Sequence, residues 1–402
     1  MIIRSIVTDL DKSLAFMHQL SERMASRRVP FAHGTALFRD EFPLVWDLNY
    51  LRVERPAAAE EIAAEAERLH GEVGHRHRKV EPAAADESGR LRPDFEALGW
   101  ETSGYLVMVH RRPPDRRADT SGVREVPESV LQPARERIIR AEPWADSEEV
   151  VRQILGSQRL LDGATHVRRF AALAGSEVAS YCDLYRDGPT AQIEAVGTAP
   201  EHRNRGHARA VVTKALEEAR AAGCDHVFLV ADPDDWPKEL YRKLGFDDAG
   251  YQHWFQLTPK TVVERLLADS GASRVTLRED VPGDFFPVTH EALAEGVKSI
   301  KDGAGIDLRG QPVARVLAET RAQVVQHDCA TAFDDPDFHR MRAAYGGLAS
   351  QIVTPIIAEG RLAGILSLHH CGEPRTWTAA EIGLAAEASE RARRLIAPRA
   401  GA

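Results

Sequence analysis

The run Ile193-Glu194-Ala195-Val196-Gly197-Thr198-Ala199-Pro200, continuing into Arg203-Asn204-Arg205-Gly206-His207-Ala208, constrains this chain more than any other segment. It reads as a β-strand halted at a proline, a basic glycine-bearing loop, and a helix that opens directly from the loop. From about Gly206 to Ala222 the apolar residues Ala208, Val211, Val212, Ala215, Leu216 and Ala219 recur on one helical face, and Gly223 stands where a helix-ending glycine is expected. The start of a helix exposes unpaired backbone N–H groups and a partial positive charge, so it favours an anion. Arg203, Arg205 and Arg209 add full positive charges around those amides. The loop is suited to a phosphate or pyrophosphate.

The spacing Arg203-x-x-Gly206-x-Ala208 after a V-x-T-x-P strand resembles the acetyl-CoA signature of the GNAT acetyltransferases, Q/R-x-x-G-x-G/A. Two further segments follow in that family's order. Val227-Phe228-Leu229-Val230 has the pattern of a short buried strand, and Leu240-Tyr241-Arg242-Lys243-Leu244-Gly245-Phe246 resembles the family's L-Y-x-x-L-G-F helix end. Upstream, helices are predicted around Ser129–Arg140 and Ser147–Leu161, and strands at His166–Leu173, Glu177–Arg186 and Thr190–Thr198, with a turn signal at Arg186-Asp187-Gly188-Pro189. A last strand is expected at Tyr251–Leu257. That order of elements is the order of the GNAT fold.

Three modules are expected, over 1–113, 123–258 and 261–398, separated by the polar, proline-bearing stretch from Arg112 to Gly122 and a break near Pro259. The first looks like a degenerate copy of the second, with strands at Leu44–Val53, Arg78–Glu81 and Gly104–His110 and helices at Ala59–Leu69 and Pro93–Leu98. Its counterpart of the phosphate loop is Glu54-Arg55-Pro56-Ala57-Ala58-Ala59, which lacks a glycine and loses one N–H at Pro56, so this copy is not expected to bind acetyl-CoA. The third module carries β-rich runs at Ile352–Ile357 and Leu362–Leu368 around Glu359-Gly360, then Thr378-Ala379-Ala380-Glu381, a capping box opening an alanine-rich helix to about Ile396. It resembles a GAF domain, with the helix after Gly310 flanking a ligand pocket. The fold class is therefore mixed α/β (α+β): a mixed-sheet GNAT fold in tandem, followed by an α+β GAF-like domain with a central antiparallel sheet.

The GNAT resemblance implies direct attack of a primary amine on the acetyl-CoA thioester. An alkylamine with a pKa of about 10.4 reaches the site protonated and must lose a proton first. Glu194 occupies the place where many relatives carry the accepting glutamate, and strand alternation puts Glu194, Val196 and Thr198 on one face. Tyr241 stands where the family's general acid protonates the departing thiolate. The backbone of Val196, Gly197 and Thr198 would pair with the pantetheine amides, and Arg203, Asn204, Arg205, Gly206, His207, Ala208 and Arg209 would hold the pyrophosphate. Two positions depart from the family pattern: Asp234 replaces an asparagine and Pro237 an alanine ahead of the tyrosine.

A net charge of −9 argues against general nucleic-acid binding and is compatible with a cationic acceptor. No apolar run reaches the length of a bilayer span, and Met1-Ile2-Ile3-Arg4-Ser5 leads to Asp9 and Asp11 with no leader-like stretch. Four scattered cysteines fit a reducing compartment, so a cytoplasmic location without membrane contact is expected. His327-Asp328-Cys329 and His369-His370-Cys371 have metal-ligand residue types but no paired spacing, and no metal is expected. His75-Arg76-His77-Arg78-Lys79 reads as a solvated basic turn. The expected partners are a small-molecule amine and an effector at the GAF-like module, with a homodimer left open. The competing reading is a ligand sensor or scaffold whose GNAT part binds acetyl-CoA with little turnover.

Overall fold

The computed structural model describes residues 7–281, 285–301, 306 and 308–397; Met1 to Ser5 and Pro398 lie outside them. The chain opens with α1 (Asp9–Met24), whose start is closed by a reciprocal Thr8–Asp11 capping box. A hairpin, β1 (Arg27–Phe31) and β2 (Gly34–Phe38), precedes β3 (Tyr50–Val53), α2 (Ala59–Glu72), β4 (Arg78–Pro82), α3 (Ala85–Ala97) and β5 (Glu101–His110). The strand expected from Leu44 is thus shorter: Trp46–Leu48 turns as a 3-10 helix, and only Tyr50–Val53 pairs. The helix expected at Pro93–Leu98 begins eight residues earlier, at Ala85.

Then follow β6 (Val123–Glu125), α4 (Glu128–Arg140), α5 (Glu148–Ser157), α6 (Arg159–Ala164), β7 (His166–Ala174), β8 (Glu177–Asp187) and β9 (Thr190–Thr198). Next are α7 (His207–Ala221), β10 (His226–Ala231), α8 (Pro237–Lys243) and β11 (Phe246–Leu257). The remaining elements are α9 (Pro259–Ser270), β12 (Arg274–Glu279), β13 (Val288–Leu293), α10 (Pro312–Thr320), β14 (Val324–Gln326), α11 (Pro336–Ala344), β15 (Leu348–Ala358), β16 (Arg361–Cys371) and α12 (Ala379–Ile396).

The chain divides into two compact units, one of Met1–Ile62, Lys79–Pro93 and Thr102–Phe255, the other of Ala63–Arg78, Asp94–Glu101 and Gln256–Ala402. The first is organised by an eleven-stranded mixed sheet among the described residues, in the order β1-β2-β3-β4-β11-β5-β10-β9-β8-β7-β6. Its centre departs from chain order. β5, from the first third of the chain, lies between β11 and β10 and pairs antiparallel with β10, Phe228 opposite Val109. β11 in turn lies between β4 and β5, so the last strands of the two halves of this sheet are exchanged. The apolar stripe of α7 (Val211, Val212, Ala215, Leu216, Ala219) packs with Cys182, Leu184, Ile193, Val227 and Leu229 from β8, β9 and β10 in one core cluster.

The second unit holds an antiparallel sheet in the order β13-β12-β16-β15-β14. Glu359 (φ 49°) and Gly360 (φ 75°) both adopt positive φ in the turn between β15 and β16, as a two-residue hairpin requires. Thr378 and Glu381 form the expected capping box of α12. Phe338, Val313 and Leu317 from α11 and α10 build a core with Leu348, Val353 and Ile365 of the sheet. Among the described residues no helix is long and apolar enough to cross a membrane.

Candidate active site

Strands β9 and β10 run parallel and pair from Thr190↔His226 to Ile193↔Leu229, and there the pairing ends although both strands continue. The cause lies on the other edge of β9. Ala195 has φ 52°, and the register against β8 slips, with Glu194 opposite Asp183 but Gly197 opposite Tyr181. Ala195 and Val196 together therefore oppose the single residue Cys182, which is a β-bulge. The bulge turns β9 away from β10 and opens a cavity of about 270 Å³ lined by Glu194, Ala195, Val196, Val230, Asp232 and Tyr241, among others.

The bulge also overturns simple alternation. Glu194 lies opposite Asp183, whereas Thr198 lies opposite Ser180, whose face of β8 is shared by Cys182 and Leu184. Val196 packs on the core cluster that contains those two residues and Ile193. Glu194 thus points to the sheet face opposite Val196 and Thr198, because the extra residue at Ala195 inverts the alternation beyond it. The Thr198 hydroxyl hydrogen-bonds Ser180 at 3.0 Å, and Gly197 lies directly over the Tyr181 ring.

Glu194 is half-buried, and its Oε2 accepts a hydrogen bond from Gln192 Nε2 at 2.6 Å. Burial pushes its carboxyl up to about 7, against the lowering effect of the Ala195 amide and Gln192, while the carboxylates of Asp183 and Asp47 push it further up. A carboxylate poised near neutrality is suited to proton transfer. Tyr241, only 7% exposed, reaches the cavity from α8. Burial, reinforced by the nearby Glu194 carboxylate, raises its hydroxyl pKa above the ordinary value, so it holds its proton at neutral pH. One group ready to take a proton and one holding its proton share the same small cavity.

At the end of β9 the chain makes a 3-10 turn at Pro200–His202 and enters α7 through Asn204 (φ 61°) and Gly206 (φ 85°), both left-handed. A side chain at Gly206 would meet no atom within 4 Å, so the glycine is needed for its backbone conformation and not for room. Among the described residues no acceptor meets the backbone N–H of Asn204, Arg205, Gly206, His207, Ala208 or Arg209. Arg203 and Arg205 are exposed, and among the described residues neither forms an ion pair. An open row of amides flanked by exposed cations has the chemistry that suits an anion.

Residues 132–246 match the family model described as the Acetyltransferase (GNAT) family, and residues 256–396 match the model of the GAF domain. The chain joins a GNAT domain to a GAF domain. No curated protein matches it significantly. Among solved structures, a GCN5-related N-acetyltransferase from Kribbella flavida aligns at 16% identity and TM-score 0.43, over 61% of this chain and 94% of its own. A conserved protein of unknown function from Staphylococcus epidermidis aligns at 15% identity and TM-score 0.46, over 58% and 93%. The blue-light-absorbing PixJ GAF domain of Thermosynechococcus elongatus aligns at 22% identity and TM-score 0.29, over 34% and 86%.

The N-terminal half differs from the GNAT domain at the two places that make the site. β3 and β4 pair to their ends, Leu51↔Val80 through Val53↔Pro82, and the Ala83 N–H bonds the Val53 carbonyl at 2.7 Å. The strands are zipped where β9 and β10 part. The amides of Glu54 and Arg55, in the place of the phosphate loop, are both taken by the His33 carbonyl, at 2.8 and 3.0 Å. In this half the strands stay paired where β9 and β10 part, and the first two amides of the loop are occupied.

Arg209 is the one residue of the GNAT loop whose side chain is placed otherwise than expected. It is buried, and its guanidinium pairs with Asp115 at 2.6 Å, so it contributes a backbone N–H to the loop but no mobile charge. The connecting stretch that supplies Asp115 is itself docked, with Asp115 N–H on the Lys243 carbonyl at 2.8 Å. Asp232 and Asp235 both line the cavity, and Pro237 starts α8, where its missing N–H costs nothing. These two carboxylates escaped the sequence reading because acidic residues in a loop carry no signal of facing a cleft.

Behind Glu194, Asp183 is fully buried and held by Arg135 at 2.6 Å and by the Tyr185 hydroxyl at 3.3 Å. His75, His77, Arg78 and Lys79, read from sequence as a solvated turn, are buried, and only Arg76 of that run is exposed.

Proposed function

We propose that this chain is an acetyl-CoA-dependent N-acetyltransferase acting on a primary amine, with its GAF domain as a ligand-responsive module. The observation that carries the reading is the parting of β9 from β10 at the Ala195 bulge, which sets Glu194 and Tyr241 on one cavity beside a loop of open amides.

The loop from Arg203 to Arg209 would hold the pyrophosphate, and the unpaired edge of β9 at Val196–Thr198 would hydrogen-bond the pantetheine arm. Glu194, directly or through one water, takes the proton of the incoming ammonium. The freed amine lone pair then attacks the thioester carbonyl, forming a C–N bond. As the C–S bond breaks, Tyr241 gives its hydroxyl proton to the departing thiolate. The acylated nitrogen gives up its remaining extra proton to the Tyr241 phenolate through water, and Glu194 releases its proton to solvent, leaving the acetamide, free CoA and both side chains restored. The amine stays a class: alkylamines, amino acids and amino sugars all present the group that Glu194 serves. A GAF effector would alter turnover to the extent that it binds two states of the protein with different affinity.

Calorimetric titration of the full chain with acetyl-CoA tests the cofactor assignment, and release of free CoA across an amine panel tests the reaction. One equivalent bound and amine-dependent CoA release are expected. Binding without release by any amine would leave a sensor in place of an enzyme.

A further inference from the structure

Three histidines meet in the second unit, far along the sequence from every residue assigned to acetyl transfer. His70 lies in the last turn of α2, and Gly74, at φ 74°, reverses the chain so that the His75 N–H bonds the His70 carbonyl at 3.0 Å. His77 then precedes β4. All three imidazoles are buried, none more than 3% exposed. The ring centroids lie 4.9, 5.1 and 5.2 Å apart, with His75 and His77 stacked. His70 Nδ1 and His75 Nδ1 are 3.0 Å apart, and a nitrogen from each ring lies within 4.8 Å of those of the other two.

We propose that His70, His75 and His77 form a binding site for one divalent transition-metal ion of the zinc type. The donor set is nitrogen only, which suits zinc, copper or nickel and not magnesium or calcium. Zinc–imidazole bonds of about 2.0–2.1 Å in a tetrahedral site put ligand nitrogens about 3.3 Å apart, so the Nδ1 pair needs to open by only about 0.3 Å. The spacing H-x4-H-x-H spans the end of one helix and the approach to one strand, so an ion here staples the last turn of α2 to the turn that follows it.

The surroundings hold the ligands in place. Arg78, itself fully buried, donates from Nη1 to the carbonyls of His75 at 2.7 Å and His77 at 3.0 Å, fixing the backbone of two ligands. Its charge would oppose a cation, but the Glu67 carboxylate pairs with it through Nε at 3.1 Å and Nη2 at 2.9 Å. Such supporting contacts around ligand residues are the usual companions of a metal site. Among the described residues the other ligand-type cluster, Glu177, Glu201 and His202, is largely at the surface.

The test uses the full chain, stripped with a chelator and titrated with Co²⁺ and Zn²⁺. One equivalent of Co²⁺ should give visible d–d absorption without a sulfur charge-transfer band, and Zn²⁺ should displace it with a Kd tighter than about 1 μM. His75→Gln combined with His77→Gln should weaken Zn²⁺ binding at least about 100-fold, whereas His202→Gln should leave it unchanged. X-ray absorption of the zinc-loaded wild type reads the ligands without any variant and should show three imidazoles. Absence of stoichiometric binding, sulfur in the first shell, or retained affinity in a folded double variant would each overturn the proposal.

Discussion

At the scale of single residues, the decisive property for the proposed reaction is the protonation of Glu194. A base must be ionised to work, and burial holds this carboxyl at about 7. Activity should therefore rise with pH through about 7, since the deprotonated fraction grows with pH. Glu194→Gln should abolish that limb and lower kcat/KM by about 10²-fold, read from pH–rate profiles of both proteins. Tyr241→Phe removes the proton donor and leaves the ring that packs in the core, so kcat should fall with acetyl-CoA affinity nearly intact. Gly206→Glu should instead abolish binding, because it strains a left-handed backbone position and sets a negative charge against the pyrophosphate. Equal acetyl-CoA binding by wild type and this variant in calorimetry would remove the loop from the site. Behind the base, Arg135→Met strands the buried Asp183 carboxylate and should cost about 3–5 kcal/mol in urea unfolding.

At the scale of elements, the site depends on how α8 ends. Gly245 adopts φ 96°, and a Cβ there would lie 1.9 Å from the Arg112 carbonyl oxygen. The Gly245 carbonyl accepts the N–H groups of Arg111 and Arg112 at 3.0 and 3.2 Å, which ties the end of β5 to the start of β11. Gly245→Ala should destabilise the chain by about 2–4 kcal/mol, with Tyr241 displaced as α8 shifts. A denaturant midpoint equal to wild type would mean that this junction yields without cost.

At the scale of the whole molecule, the exchange of β5 and β11 sets what can fold alone. A fragment over 123–258 lacks β5, so the edge of β10 that pairs with it would be bare between Ala231 and Phe228. Such a fragment should be aggregation-prone and bind acetyl-CoA weakly, checked by sedimentation and calorimetry against the full chain. Truncation at Lys260 has a different consequence. Within the second unit Arg78 bonds the Arg394 carbonyl, Arg391 the Leu98 carbonyl, and Arg76 pairs with Glu279. A chain ending at Lys260 loses all three and should melt several degrees lower, so assays of turnover belong on the full chain.

The basic glycine-bearing loop, the helix it opens, the L-Y-x-x-L-G-F end of α8, the Glu359–Gly360 turn and the Thr378–Glu381 capping box were all legible in the sequence. Each is decided by residues within one or two turns of each other: an apolar stripe repeats every few residues, a left-handed position wants glycine, and a cap bonds three residues away. The bulge at Ala195 was not legible, because alanine carries no mark of a positive φ and the slip is set by β8. Nor were the place of β5 beside β10, the capture of Arg209 by Asp115, or the burial of His75 and His77. Those depend on partners tens of residues or more away, or on which side of a strand becomes interior. Local chemistry determined that a basic, glycine-bearing GNAT-type loop and a GAF-type hairpin exist in this chain. Only tertiary packing decided which side of β9 Glu194 faces, which half keeps an open cleft, and that three neighbouring imidazoles are buried, since register and burial are properties of contacts between distant segments.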